Sequence, residues 1–111
     1  MDRVATYREI IKRIISEYAA LKPSYGDIEV ETIFDEHNDH YEMMYTGWHD
    51  WRRVHGTVIH VDIRDGKIWI QHDGTEDGIA NEFLQAGIPH EHIVLAFHHP
   101  AERKHTPFAM A

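Results

Sequence analysis

Residues 54–72, VHGTVIHVDIRDGKIWIQH, do most to limit how this chain can fold. Asp65-Gly66 is a two-residue hairpin signal, because a type I′ turn needs positive φ at both central residues. Folding there pairs Arg64 with Lys67, Ile63 with Ile68, Asp62 with Trp69, Val61 with Ile70, His60 with Gln71 and Ile59 with His72. The first strand then alternates, with Ile59, Val61 and Ile63 on one face and His60, Asp62 and Arg64 on the other. A slip of one residue would turn the apolar set to solvent, so the register is fixed by burial.

A hairpin of this kind needs a cover, and residues 2–21 supply one. Val4, Tyr7, Ile11, Ile14, Tyr18 and Leu21 recur at helical spacing, with Ile10 and Ile15 beside the stripe. Asp2 is placed to cap the start, Glu9 to pair with Lys12 and Arg13, and Lys22-Pro23 to stop the helix. A second hairpin precedes the first. Ile28, Val30, Thr32 and Phe34 alternate, residues 37–40 turn, and residues 41–48 return. A two-residue loop at Asn38-Asp39 would set Phe34 against Met43, Thr32 against Tyr45 and Asp35 against Glu42; the last pair is unfavourable, so a longer loop is the alternative. Residues 47–53, GWHDWRR, link the hairpins. Their tryptophans either close one end of the core or form an exposed aromatic contact surface beside arginines.

After the hairpin of residues 54–72, Asp73 (with Glu76) or Thr75 can cap a helix over residues 75–86 carrying Ile79, Phe83 and Leu84 on one face. Gly87, Ile88 and Pro89 form its stop. The apolar run Ile93-Val94-Leu95-Ala96-Phe97 is a strand or a final packing segment, and Pro100 and Pro107 make the tail irregular. The expected fold is therefore α+β. It is one domain over residues 1–111, a four-stranded antiparallel meander with the N-terminal helix and the later helix packed on one face. A meander leaves edge strands unpaired, so a homodimer is expected, with the edge strand of residues 67–71 and its Trp69 as one route.

Composition narrows function. The 111 residues carry a net charge of −8, which disfavours direct DNA binding at neutral pH. Full protonation of the eleven histidines would reverse that sign, so binding seen only in acid would mean little. There is no cysteine, hence no disulfide or thiolate metal site. No run approaches the ~18 apolar residues of a membrane span, and a cytoplasmic location is expected.

Three clusters stand out among the eleven histidines: His37 with His40, His90 with His92, and His98-His99. None has the His-Glu-x-x-His spacing of zinc hydrolases. On a strand, His90 and His92 would share a face and make a surface metal site conceivable. Asp62, near Arg64 and Lys67, is weighed as part of a metal-dependent nuclease but reads more simply as a solvated face. No glycine-rich phosphate loop follows a strand and no serine sits in a nucleophile elbow. No residue is assigned as catalytic, cofactor-binding or metal-ligating.

Residues 73–109, DGTEDGIANEFLQAGIPHEHIVLAFHHPAERKHTPFA, resemble the signature region of the XisI-like family. The pieces that carry it are Gly78-Ile79-Ala80, Ala86-Gly87-Ile88-Pro89, residues 93–98 and residues 103–109. Residues 7–11 and 72–76 fit as well, so the resemblance spans the chain. The family is named for the fdxN element excision controlling factor of filamentous cyanobacteria, where a DNA element leaves the chromosome during heterocyst differentiation. In that system a recombinase performs the strand chemistry, and XisI and XisH are accessory factors. The resemblance implies a non-enzymatic accessory factor with no cofactor, acting through contacts with an XisH-like partner. Proteins like XisH resemble nucleases, which makes this chain a regulator or antidote by analogy. The contact residues expected are Trp48, Trp51, Arg52 and Arg53, with residues 100–108 second. The rival function is a metal-assisted hydrolase or nuclease using surface His and Asp.

Overall fold

The computed structural model describes residues 2–111. Helix α1 spans Arg3–Ala19. The Asp2 carboxylate caps it, accepting from the Val4 N–H at 3.0 Å and satisfying a donor that every helix start leaves free. Tyr7, Ile11, Ile14 and Ile15 are buried, whereas Leu21 lies beyond the helix end and is 68% exposed. Glu9 pairs with Lys12 at 3.0 Å, but Arg13 turns to Glu17 at 2.9 Å instead of Glu9.

Five strands follow: β1 Asp27–Asp35, β2 His40–His49, β3 Arg52–Arg64, β4 Lys67–Asp73 and β5 Ile93–Leu95. They lie in the order β1-β2-β3-β4-β5. The first four form the expected antiparallel meander, and β5 adds a parallel partner to β4. A parallel neighbour requires a long crossover, which the segment containing helix α2 (Ile79–Gln85) provides. Ile93, Val94 and Leu95 are all buried, which is why this strand reads as a continuous apolar run and not an alternating one.

The fifth strand corrects one expectation. Strand β4 is interior, so residues 67–71 offer no open edge for self-association. The open edge is β1, since Val94 of β5 is itself bridged by Ala109.

The β3–β4 turn is as expected: Asp65 and Gly66 have φ of 51° and 74°. The pairs Arg64–Lys67, Ile63–Ile68, Asp62–Trp69 and Val61–Ile70 form as expected. Beyond them a bulge at Gln71 shifts the ladder, and His60 pairs with His72 and Ile59 with Asp73. Ile59, Val61 and Ile63 still face the core. A second bulge, at Val58, lies between β3 and β2.

The β1–β2 loop is the longer alternative. Asp35 pairs with His40, Phe34 with Tyr41 and Thr32 with Met43, which avoids setting Asp35 against Glu42. The Asp35 carboxylate accepts from the His37 and Asn38 N–H groups at 3.1 Å each and closes the loop.

Helix α2 begins four residues later than the expected Thr75. Asp73 still serves its start: Oδ2 accepts from the Ile79 N–H at 2.8 Å, while Oδ1 accepts from Thr75 Oγ1 at 2.6 Å. Its end is the expected Schellman stop, with Ile88 N–H donating to Phe83 O at 3.1 Å and Gly87 N–H to Leu84 O at 3.0 Å. Helices α1 and α2 cover one face of the sheet, around Tyr41, Met43, Ile59, Val61, Ile68 and Ile70. The tail is more ordered than its prolines imply. It forms helix α3 (Pro100–Arg103) and is held by buried Arg103, which donates to the carbonyls of His98, Met110 and Ala96 at 3.1, 3.2 and 3.4 Å.

Candidate functional site

Residues 47–53 are the tip of a hairpin, not a link between hairpins. Trp48 pairs with Arg53 and His49 with Arg52, leaving Asp50-Trp51 as a two-residue turn. Asp50 takes the positive φ, 57°, that such a turn demands. The tip is anchored to β1 at Gly47. A Cβ there would lie 2.0 Å from the Asp27 carbonyl oxygen, so only glycine allows this strand approach.

The two tryptophans do not close the core. Trp51 is 97% exposed and Trp48 49% exposed. The Arg53 guanidinium lies 5.3 Å from the Trp48 ring centroid and donates to Gly47 O at 3.3 Å, so one ring is already held by a cation. Arg52 and Arg53 are exposed beside them. Below the tip runs a groove of about 450 Å³, lined among others by Lys22, Asp27, Glu29, Thr46, Trp48 and Arg53. An exposed ring at the hairpin apex, an arginine-braced ring next to it and a mixed-charge groove suit a polypeptide surface, where Trp and Arg anchors concentrate binding energy. In the second candidate, residues 100–108, Arg103 is buried and ties the segment down, while Pro100, Ala101, Glu102, Lys104, His105 and Pro107 are exposed.

The other face of the sheet, away from the helices, holds a polar cluster that sequence reasoning missed. Asp62 is only 2% exposed, so it is not on a solvated face. Its Oδ1 lies 2.7 Å from His40 Nδ1 and 2.8 Å from His60 Nε2, and its Oδ2 accepts from Gln71 Nε2 at 3.2 Å. The Asp62 hydrogen bond holds His40 protonated to a higher pH than an ordinary imidazole. The β2–β3 register sets His40 opposite Asp62, and Gln71, at the β4 bulge, reaches the same carboxylate. Alternation had placed His60 and Asp62 on one face, but nothing in the sequence announces the Val58 bulge that aligns His40 with them.

The remaining histidine groups do not make sites. His90 and His92 sit on a 3₁₀ turn, not a strand, and His92 Nδ1 is 2.6 Å from the Tyr7 hydroxyl. His99 caps α3, its Nδ1 accepting from the Ala101 N–H at 3.1 Å.

Comparison with known proteins agrees with this fold. The family model for XisI protein matches residues 1–110. A crystal structure of a XisI-like protein from Anabaena variabilis ATCC 29413 superposes with a TM-score of 0.90 at 38% identity, covering 96% of this chain and 98% of that one. The crystal structure of fdxN element excision controlling factor XisI from the same organism superposes with a TM-score of 0.86 at 40% identity, covering 99% of this chain and 100% of the other. Curated proteins give no match. With its sequence matched almost end to end and its fold shared with both Anabaena structures, this chain belongs to the XisI family.

Proposed function

We propose that this chain is a non-enzymatic accessory controlling factor for programmed excision of a DNA element, acting in the cytoplasm by binding an XisH-like protein through the β2–β3 tip. The observation that carries the reading is Trp51, an indole 97% exposed at the apex of a two-residue turn. A fully exposed indole adds no buried area to the fold, and tryptophan is enriched among the anchors that dominate interfaces. Family membership supports the accessory role, since a solved relative is itself an excision controlling factor. The net charge of −8 supports a protein rather than DNA as the direct ligand. Self-association through the open β1 edge belongs to the same reading, because that strand's backbone groups lack a neighbouring strand.

The test is co-expression with the XisH-like protein of the same genome, followed by a pull-down at neutral pH and moderate salt. The two chains are expected to co-purify. Failure to do so, together with sequence-specific binding of element-end DNA by this chain alone, would replace the reading with a DNA-binding one.

A further inference from the structure

We propose that His40, His60 and Asp62 form a binding site for one divalent transition-metal ion on the sheet face opposite the helices. They are the one group of three among the described residues whose donor atoms all lie within 4.8 Å of one another. An ion bound here displaces the proton that His40 Nδ1 shares with Asp62. Two neutral imidazoles and one carboxylate are then the ligand set of first-row divalent ions such as zinc or iron, and that set leaves further coordination positions open.

The surroundings are built as a metal site requires. Asp62 is buried at 2% exposure, yet its Oδ1 faces both imidazole nitrogens. Gln71 holds Oδ2 at 3.2 Å and so fixes the carboxylate plane. Behind His60, Nδ1 lies 3.9 Å from Glu42 Oε1, which accepts in turn from Thr57 Oγ1 at 3.4 Å. That separation is longer than a hydrogen bond, so Glu42 contributes a nearby negative charge on the non-ligating side of His60 rather than a fixed orienting bond. A tetrahedral ion with bonds of about 2.1 Å needs donor atoms about 3.4 Å apart, so the ligands must open slightly from their hydrogen-bonded spacing. His40, with 51% of its side chain exposed, can make that movement, and the solvent-facing positions would hold water. Arg64 is the nearest competing charge, with Nη2 4.0 Å from Asp62 Oδ2, away from the oxygen offered to the ion.

This site is independent of the tryptophan tip. His40 and Trp48 stand at opposite ends of β2, about 26 Å apart along an extended strand.

The experiment is zinc titration of chelator-stripped protein by calorimetry at neutral pH, with X-ray absorption of the loaded protein. We expect one dominant site of micromolar affinity or better, with two imidazoles and one carboxylate at about 2.0–2.2 Å. Because the chain has eleven histidines, variants locate the site. His40→Ala, whose side chain is half exposed and can be lost without unfolding, should weaken zinc binding at least tenfold; His37→Ala should not. Gln71→Leu, which removes the group holding the carboxylate, should weaken it about 10–100-fold. Equal zinc affinity in wild type and His40→Ala would overturn the proposal, as would equal losses in His40→Ala and His37→Ala or the absence of any site tighter than about 100 µM.

Discussion

At the residue scale, single side chains tie the elements together. Arg8 on α1 reaches Asp39 in the β1–β2 loop with Nε at 2.8 Å from Oδ1 and Nη2 at 3.2 Å from Oδ2, and the buried Tyr41 hydroxyl donates to Oδ1 at 2.7 Å. The Arg8 bonds hold the Asp39 carboxyl below the ordinary value of 3.8. Burial, then the Asp39 bond, push the Tyr41 hydroxyl well above its usual range. Because the folded state depresses the pKa of Asp39, its contribution to stability is complete above the unfolded value and is lost as pH falls through the folded one. Asp39→Asn keeps a residue that tolerates the φ of 56° at this position while removing the charge and one of the two accepting oxygens. It should cost about 1–3 kcal/mol at pH 7 and flatten the loss of stability below pH 4, as read by urea unfolding across pH. Gly66→Val tests the tight turn. A β-branched residue resists the φ of 74°, so thermal unfolding should show a loss of about 1–2 kcal/mol or more.

At the element scale, the parts that were legible in the sequence are those fixed by local chemistry. The alternation of Ile59, Val61 and Ile63 sets the core face of β3, Asp65-Gly66 sets its turn, and Gly87-Ile88 ends α2. What stayed illegible depends on partners distant in sequence. The bulges at Val58 and Gln71 have no local marker, yet the Val58 bulge sets His40 opposite Asp62. The parallel strand β5 likewise depends on where α2 returns the chain. The tail depends on one buried guanidinium, Arg103, which also lies 5.7 Å from the Trp69 ring centroid, with Arg64 at 5.4 Å from the same centroid. Replacing it by Arg103→Leu leaves three carbonyls without their donor. It should destabilise the protein by about 2–3 kcal/mol and change Trp69 fluorescence.

At the scale of the whole molecule, the helices close one sheet face, the other face carries the His40–Asp62 cluster, and the β2–β3 hairpin projects an aromatic tip. A nuclease gathers several carboxylates around its ions, whereas the Asp62 group contains one carboxylate among its three candidate ligands. No cleavage of DNA is expected with Mg²⁺ or Mn²⁺, and turnover that vanished in Asp62→Asn would contradict that. The proposed protein contact rests on that tip. The direct measurement is the Kd of wild type and Trp51→Ala for the XisH-like protein, with thermal unfolding of both. Because Trp51 is 97% exposed, its loss should leave the melting temperature unchanged while weakening binding by about 2 kcal/mol or more, roughly 30-fold. Equal affinity in the two proteins would contradict the assignment of the tip.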